Sequence, residues 1–173
     1  MDYTAQQALA DDRVKEITIA NGGDWGGRHV DKRFTELLKE ILGEAFIAKF
    51  SKEHPLAWYD LEMNFEKAKA NVDENKAMNI QMPTMIERFM RKEEKKDISD
   101  IINGKSQKFG VRENNGYLVI TKEKVKALFE PTIQKIGKQT SDMVESNPLR
   151  GLEIVYLVGG FAGCKLLHKH IKV

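Results

Sequence analysis

The sequence predicts an α/β protein in which short strands and glycine turns lead into amphipathic helices. Twice the chain has an apolar, β-prone run, then a glycine cluster, then a helical pattern: residues 14–20 precede Gly22 to Gly27, and residues 153–158 precede Gly159 to Gly163. In addition, Asn115-Gly116 separates two β-prone runs, which is the strongest short-range hairpin signal. Strands interleaved with helices of this length indicate an α/β lobe.

The N-terminal half is predicted to contain one hairpin and two helices. Residues 2–9 and 14–20 should pair across the turn at residues 10–13, although residues 5–8 are a poor β-sequence. Apolar residues then recur at helical spacing from about 28 to 50, which predicts one long helix. A second helix over 55–72 begins at Pro55, because proline lacks only an N–H that a first helical turn leaves unpaired.

The C-terminal half is predicted to alternate between strands and helices. Residues 78–82 should form a strand, 84–94 a helix, 97–102 one further turn, and 109–120 the hairpin. Thr121 should cap a helix that Pro131 restarts or kinks and that ends at Asn147-Pro148. Residues 153–158 should then form a buried strand that shares a sheet with the first hairpin, followed by a short helix over 165–171.

Composition indicates a soluble globular domain with no need for a polyanionic partner. Of 173 residues, 41% are hydrophobic and 31% charged, with a net charge of +2. The basic residues between 88 and 96 are interleaved with glutamates and have no aromatic platform, so we expect a solvated helix face rather than a nucleic-acid surface. No run approaches the roughly 20 apolar residues of a membrane span. No secretory signal is visible, and we expect a cytoplasmic location.

The two glycine clusters are candidate anion sites. Glycines before a helix let the backbone approach a ligand while free helix N–H groups point at negative charge. The alternative is a tight turn or loop with no ligand. Cys164 could be a reactive thiol at a helix start, where the helix field favours a thiolate, but a small buried spacer is the preferred interpretation. The four histidines lack metal-ligand spacing.

Four motifs in order resemble the second lobe of a 70-kDa heat-shock protein ATPase domain, especially the 12A/12B branch. They are Gly22-Gly-Asp-Trp-Gly-Gly27, Asn64-Phe-Glu-Lys-Ala-Lys69, Leu128-Phe-Glu-Pro-Thr-Ile133 and Leu157-Val-Gly-Gly-Phe-Ala162. The resemblance implies an actin-like, ribonuclease H-like ATPase lobe with an inserted α+β subdomain. Residues 1–26 and 130–173 would form a partial inner, nucleotide-facing subdomain, and residues 27–129 the inserted outer one.

The resemblance also implies a site for ATP or ADP with Mg²⁺. Gly26, Gly27, Gly159 and Gly160 match glycines that line the nucleotide cleft. The matches around the adenosine are Glu66 and Lys69, whose i, i+3 spacing places both on one helix face. Without the resemblance, Glu66 and Lys69 would be an ordinary surface pair. Phe161 could stack on a base or belong to the core, and Asp2 matches an acidic residue that holds hydrated magnesium.

The same resemblance predicts an incomplete ATPase domain. Ala70 stands where the chaperones have an arginine against adenine, and Phe161 and Gly163 replace a serine and another arginine. The first lobe and both phosphate loops of that domain have no match in this sequence. We therefore expect an ATP-binding lobe with no independent hydrolysis. The alternative is a degenerate interaction module that binds no nucleotide and docks on full-length heat-shock proteins or their exchange factors.

Overall fold

The computed structural model describes residues 2–10, 13–18, 21–23, 25–146, 149 and 152–171. Seven short strands lie in this part: β1 Asp2–Tyr3, β2 Gln6–Ala8, β3 Val14–Glu16, β4 Asn21–Gly22, β5 Met78–Gln81, β6 Val111–Asn114 and β7 Tyr117–Ile120. The helices described are α1 Gly27–Leu42, α2 Glu44–Glu53, α3 Pro55–Ala70, α4 Thr84–Glu94, α5 Ile98–Gly104, α6 Ser106–Phe109, α7 Lys122–Val144 and α8 Lys165–His170. The chain is therefore mixed α/β, as predicted.

The largest sheet has three antiparallel strands in the order β5-β7-β6. Met78 faces Ile120 in one pair, and Val111 faces Ile120 in the other. Asn115 and Gly116 both have positive φ, 50° and 81°, which the two-residue hairpin turn requires. This sheet confirms the predicted strand at 78–82 and the predicted hairpin.

The remaining strands form two separate antiparallel pairs. β2 pairs with β3, with Gln6 opposite Glu16, so the predicted N-terminal hairpin is confirmed despite its poor β-sequence. β1 pairs with β4, which places Asp2 opposite Gly22 at the first glycine cluster. The predicted turn residues Asp11 and Asp12, and Ile19 and Ala20 at the end of the predicted strand, lie outside the described residues.

The core is built by the long helices. Their buried faces enclose one continuous cluster whose largest fully buried members include Phe50, Phe65, Phe89 and Phe129. The Phe34 and Phe65 rings stack with centroids 4.0 Å apart, which joins α1 to α3. The Leu61 and Phe65 stripe predicted for α3 is buried, and Trp58 and Ala68 pack against it. This core fixes the position of the residues at the start of α1 and the end of α3.

The predicted single helix over 28–50 is wrong. It is two helices, because Gly43 has φ 102° and ψ 137° and ends α1 with its N–H bonded to the Lys39 carbonyl. That backbone conformation strongly favours glycine. The first helix therefore ends at Gly43, although apolar residues continue at helical spacing beyond it. By contrast, α7 runs through Pro131 as one helix, capped by the Thr121 hydroxyl as predicted, and ends at Val144. Asn147 and Pro148 lie outside the described residues.

The predicted buried strand at 153–158 is also wrong. Residues 152–158 have no strand structure, and Tyr156 and Val158 are 80% and 86% exposed. A β-prone sequence forms a strand only where a neighbouring strand satisfies its backbone groups. In the described residues the first hairpin pairs only within itself, so residues 152–158 do not share its sheet. The short helix that follows is present as α8.

Candidate functional site

The first wall of the candidate site is the start of α1. Gly26 is the residue before the helix, with extended backbone, and it offers no side-chain cap to the first-turn N–H groups. No acidic residue lies in that first turn, and the first carboxylate of the helix is that of Asp31, one turn further on. The start of α1 is therefore electrostatically suited to an anion.

The second wall is the turn at residues 159–162. Gly159 has φ 99°, a conformation that L-residues with side chains rarely adopt, and its carbonyl accepts a hydrogen bond from the Ala162 N–H at 3.0 Å. Gly26 and the segment from Leu157 to Ala162 line one cleft of about 180 Å³, closed from behind by Leu167. Thus Gly159, Gly160 and Phe161, predicted from sequence to belong with Gly26, do lie beside it.

Lys69 joins these walls to α3. Its side chain is only 7% exposed, and its Nζ donates to Asp31 Oδ1 at 2.5 Å, to a Glu66 carboxylate oxygen and to the Gly27 carbonyl at 3.4 Å. A Cβ added at Gly27 would lie 3.1 Å from Lys69 Nζ and 3.5 Å from the Phe161 ring. A side chain at 27 would therefore require the Lys69 ammonium to shift by a few tenths of an ångström.

Sequence reasoning missed Asp31. It lies one helical turn after Gly27 on α1, and its carboxylate accepts a hydrogen bond from Lys69 on α3. The pKa of Asp31 is raised, because partial burial disfavours its charged form and the nearby Glu66 repels it, although hydrogen bonding to Lys69 acts in the opposite sense. The available signal was its i+4 spacing from Gly27 on a predicted helix, which on its own does not identify a partner.

The surroundings of Phe161 and Cys164 are apolar. The Phe161 ring lies roughly parallel to that of Phe129 on α7, with centroids 6.4 Å apart, so Phe161 both lines the cleft and packs on the core. Cys164 is buried, and burial raises the pKa of its thiol. The structure therefore favours the buried spacer over the reactive thiol.

Asp2 is not brought to this cleft. It lies in β1 and lines a different groove of about 570 Å³, formed with residues at the end of α7 and within 152–158. Among the described residues, no three histidine, cysteine or acidic side chains converge so as to hold a metal ion. Nor is any helix in the described part of the chain long and apolar enough to span a membrane.

Comparison with known proteins identifies the relatives. The chain is 32% identical to human heat shock 70 kDa protein 12B over 161 aligned residues, which cover 92% of the chain. It is 31% identical to human heat shock 70 kDa protein 12A over 175 aligned positions, covering 99% of the chain, and equally similar to the mouse protein. The chain is a homologue of heat shock 70 kDa proteins 12A and 12B. The predicted resemblance is thereby confirmed.

The chain spans about a quarter of the length of these 12A and 12B relatives. No family model matches it, and no solved structure matches it. The homology therefore shows similarity to heat shock 70 kDa proteins 12A and 12B over nearly the whole of this chain. The actin-like topology, the division into inner and outer subdomains and the roles of individual site residues remain predictions.

Proposed function

We propose that this chain is a nucleotide-binding lobe of a 12A/12B-like heat-shock ATPase that does not hydrolyse ATP alone. One observation carries the proposal: three distant parts of the sequence meet at one point. Gly27 accepts a hydrogen bond from Lys69, a Cβ built at Gly27 would lie 3.5 Å from the Phe161 ring, and Gly26 shares a cleft with Gly159 and Gly160. These are the residues that the chaperone resemblance assigns to the nucleotide.

The phosphates are assigned to the glycine side of the cleft. The uncapped first turn of α1 presents backbone N–H groups, and Gly159 and Gly160 contribute no side chain to the opposite wall. Charge–dipole attraction at such a helix start is worth about 0.3–1 kcal/mol at an exposed site. A single helix start and a glycine turn therefore support weak binding.

The nucleoside is assigned to the Lys69 group, which adjoins the cleft through Gly27 but is not part of its lining. An ammonium has three N–H donors, and all three of Lys69 are engaged by Asp31, Glu66 and the Gly27 carbonyl. The polar atoms left for a ligand are carboxylate oxygens, which accept hydrogen bonds from ribose hydroxyls or an adenine amine. Ala70 is exposed beside them and offers no stacking surface.

The size of the cleft limits affinity. Its volume of about 180 Å³ is below the roughly 300–1,000 Å³ of typical small-molecule pockets. The described residues also do not fit a directly held magnesium ion, since Asp2 stands alone in another groove. We assign no step to the metal. Phosphoryl transfer depends on charge stabilisation and a positioned nucleophile from several sides, so no independent turnover is expected.

The test is calorimetric titration of the folded chain with Mg-ATP and Mg-ADP. Gly26→Val fills the cleft at a position where a Cβ meets open space and the backbone is extended, so the fold should persist. We expect weak binding in the native chain, none in Gly26→Val, and no phosphate release in either. Absence of heat up to millimolar nucleotide would refute the proposed binding, and turnover abolished by Gly26→Val would refute the proposed inactivity.

A second function is favoured by a different surface. On α3, Leu56, Tyr59 and Met63 are 81%, 57% and 36% exposed and fall at i, i+3 and i+7 on one face. An exposed apolar stripe is typical of a protein contact. Under this alternative the chain binds a full-length heat-shock protein or an exchange factor and no nucleotide. Co-elution abolished by Tyr59→Glu, with no nucleotide heat, would favour it.

A further inference from the structure

A second cleft lies where the N-terminal strands cross α7. It has a volume of about 460 Å³, within the range of small-molecule pockets. Tyr3, Thr18 and Trp25 line one side, and Lys135, Lys138 and Asp142 line the other. None of these residues contributes to the proposed nucleotide site.

The helix side of this cleft carries net positive charge, from two lysines and one aspartate. Lys135 and Lys138 are exposed and lie at i, i+3, so their ammonium groups share one face of α7. In the part of the chain that the structure describes, neither lysine forms a salt bridge, and Asp142 is the single carboxylate on the wall. Lys135 Nζ lies 4.1 Å from the centroid of the Trp25 ring, a cation–π contact that holds the ammonium over the cleft wall.

The opposite side, from the N-terminal segment, carries two buried polar atoms with no hydrogen-bond partner among the described residues. Trp25 Nε1 and Thr18 Oγ1 are both buried and make no hydrogen bond with the described residues. Buried polar atoms are nearly always paired, and an indole N–H can only donate, so it requires an acceptor. Thr18 and Trp25 both line the cleft, so an anion bound there would supply the missing acceptor after a small rearrangement of these side chains.

We propose that this cleft binds a small organic anion that also carries a hydroxyl group. Its carboxylate or phosphate bridges the ammonium groups of Lys135 and Lys138 and accepts hydrogen bonds from the Trp25 indole and the Thr18 hydroxyl. Its own hydroxyl donates to Asp142, which explains a carboxylate on an otherwise cationic wall. The proposal is independent of nucleotide binding at Lys69.

The test uses the two indole N–H signals of ¹⁵N-tryptophan-labelled protein. Trp25 lines the cleft and Trp58 packs against the core, and the spectrum of Trp58→Phe assigns the two signals. Glycerol 3-phosphate and malate are titrated separately, with glycerol as the uncharged control. We expect a saturable shift of the Trp25 signal with at least one of the anions, an unmoved Trp58 signal, and no shift with glycerol. The relative affinities distinguish phosphate from carboxylate.

Matched variants on α7 complete the test. Lys138→Gln removes one ammonium from the cleft and should weaken binding at least tenfold, whereas Lys122→Gln, in the first turn of the same helix, should leave it unchanged. Both lysines are exposed, and the same spectra report whether each variant is folded. No saturable shift with either anion in the native chain, or equal affinity in Lys138→Gln, would overturn the proposal.

Discussion

The ammonium group of Lys69 lies 2.5 Å from the carboxylate of Asp31, linking the end of α3 to the first turns of α1. Glu66 shares the same ammonium from one helical turn before Lys69. The Lys69 ammonium thus pairs with two carboxylates and also donates to the Gly27 carbonyl. Together, Lys69, Asp31 and Glu66 carry a net negative charge when both carboxylates are ionised. The stability of the fold should therefore depend on Lys69 and on pH.

Removal of the Lys69 ammonium should destabilise the fold. In Lys69→Met the Asp31 and Glu66 carboxylates lose their common partner, and we expect a loss of about 1–3 kcal/mol in the free energy of unfolding. Lys67→Met, an exposed neighbour on α3, should change it by less than about 0.5 kcal/mol. Urea denaturation measures both, and equal effects from the two variants would show that the Lys69 pairings do not contribute.

Asp31 should make stability fall as pH rises. Its raised folded-state pKa means that the folded chain holds this proton more tightly than the unfolded chain. Relative to Asp31→Asn, the native chain should therefore lose stability as pH rises from about 4, the usual aspartate pKa, through the raised value, and then level off. Urea unfolding between pH 3.5 and 7 tests the sign. A difference that grows in favour of the native chain as pH rises would contradict it.

The Gly159 turn should be sensitive to a single methyl group for conformational reasons. Gly159 has φ 99°, and neither Gly159 nor Gly160 has an atom close to an added Cβ. Because only Gly159 adopts the strained conformation, Gly159→Ala should cost about 1–2 kcal/mol and Gly160→Ala much less. Thermal unfolding of the two variants provides the comparison. If Gly160→Ala proved the more damaging, backbone conformation would not be the cause.

Gly43 should be required for the break between α1 and α2. With φ 102°, Gly43→Ala is expected to destabilise the chain by about 1–2 kcal/mol. Gly104 lies in the last turn of α5, where a Cβ meets open space. Gly104→Ala should therefore stabilise by up to about 1 kcal/mol. Calorimetric melting temperatures should move in opposite directions, and a shared direction would argue against this assignment.

The sequence by itself determined the elements whose signals are local. The Asn115-Gly116 hairpin, the Thr121 cap and the helices beginning at Pro55 and Thr84 follow from turn chemistry, capping and apolar periodicity, and each is present. The four motifs likewise indicated the similarity to heat shock 70 kDa proteins 12A and 12B. Such signals depend on residues within a few positions of one another, so the sequence contains them in full.

Tertiary structure alone decided the features that depend on distant neighbours. The apolar run at 153–158 has strand-forming residues, but it has no pairing strand in the described part of the chain, and it lies exposed. Asp31 became a site residue only because packing of α1 on α3, through the stacked rings of Phe34 and Phe65, brings it to Lys69. Hydrogen-bond partners and buried charges are set by these long-range contacts, which local sequence patterns do not specify.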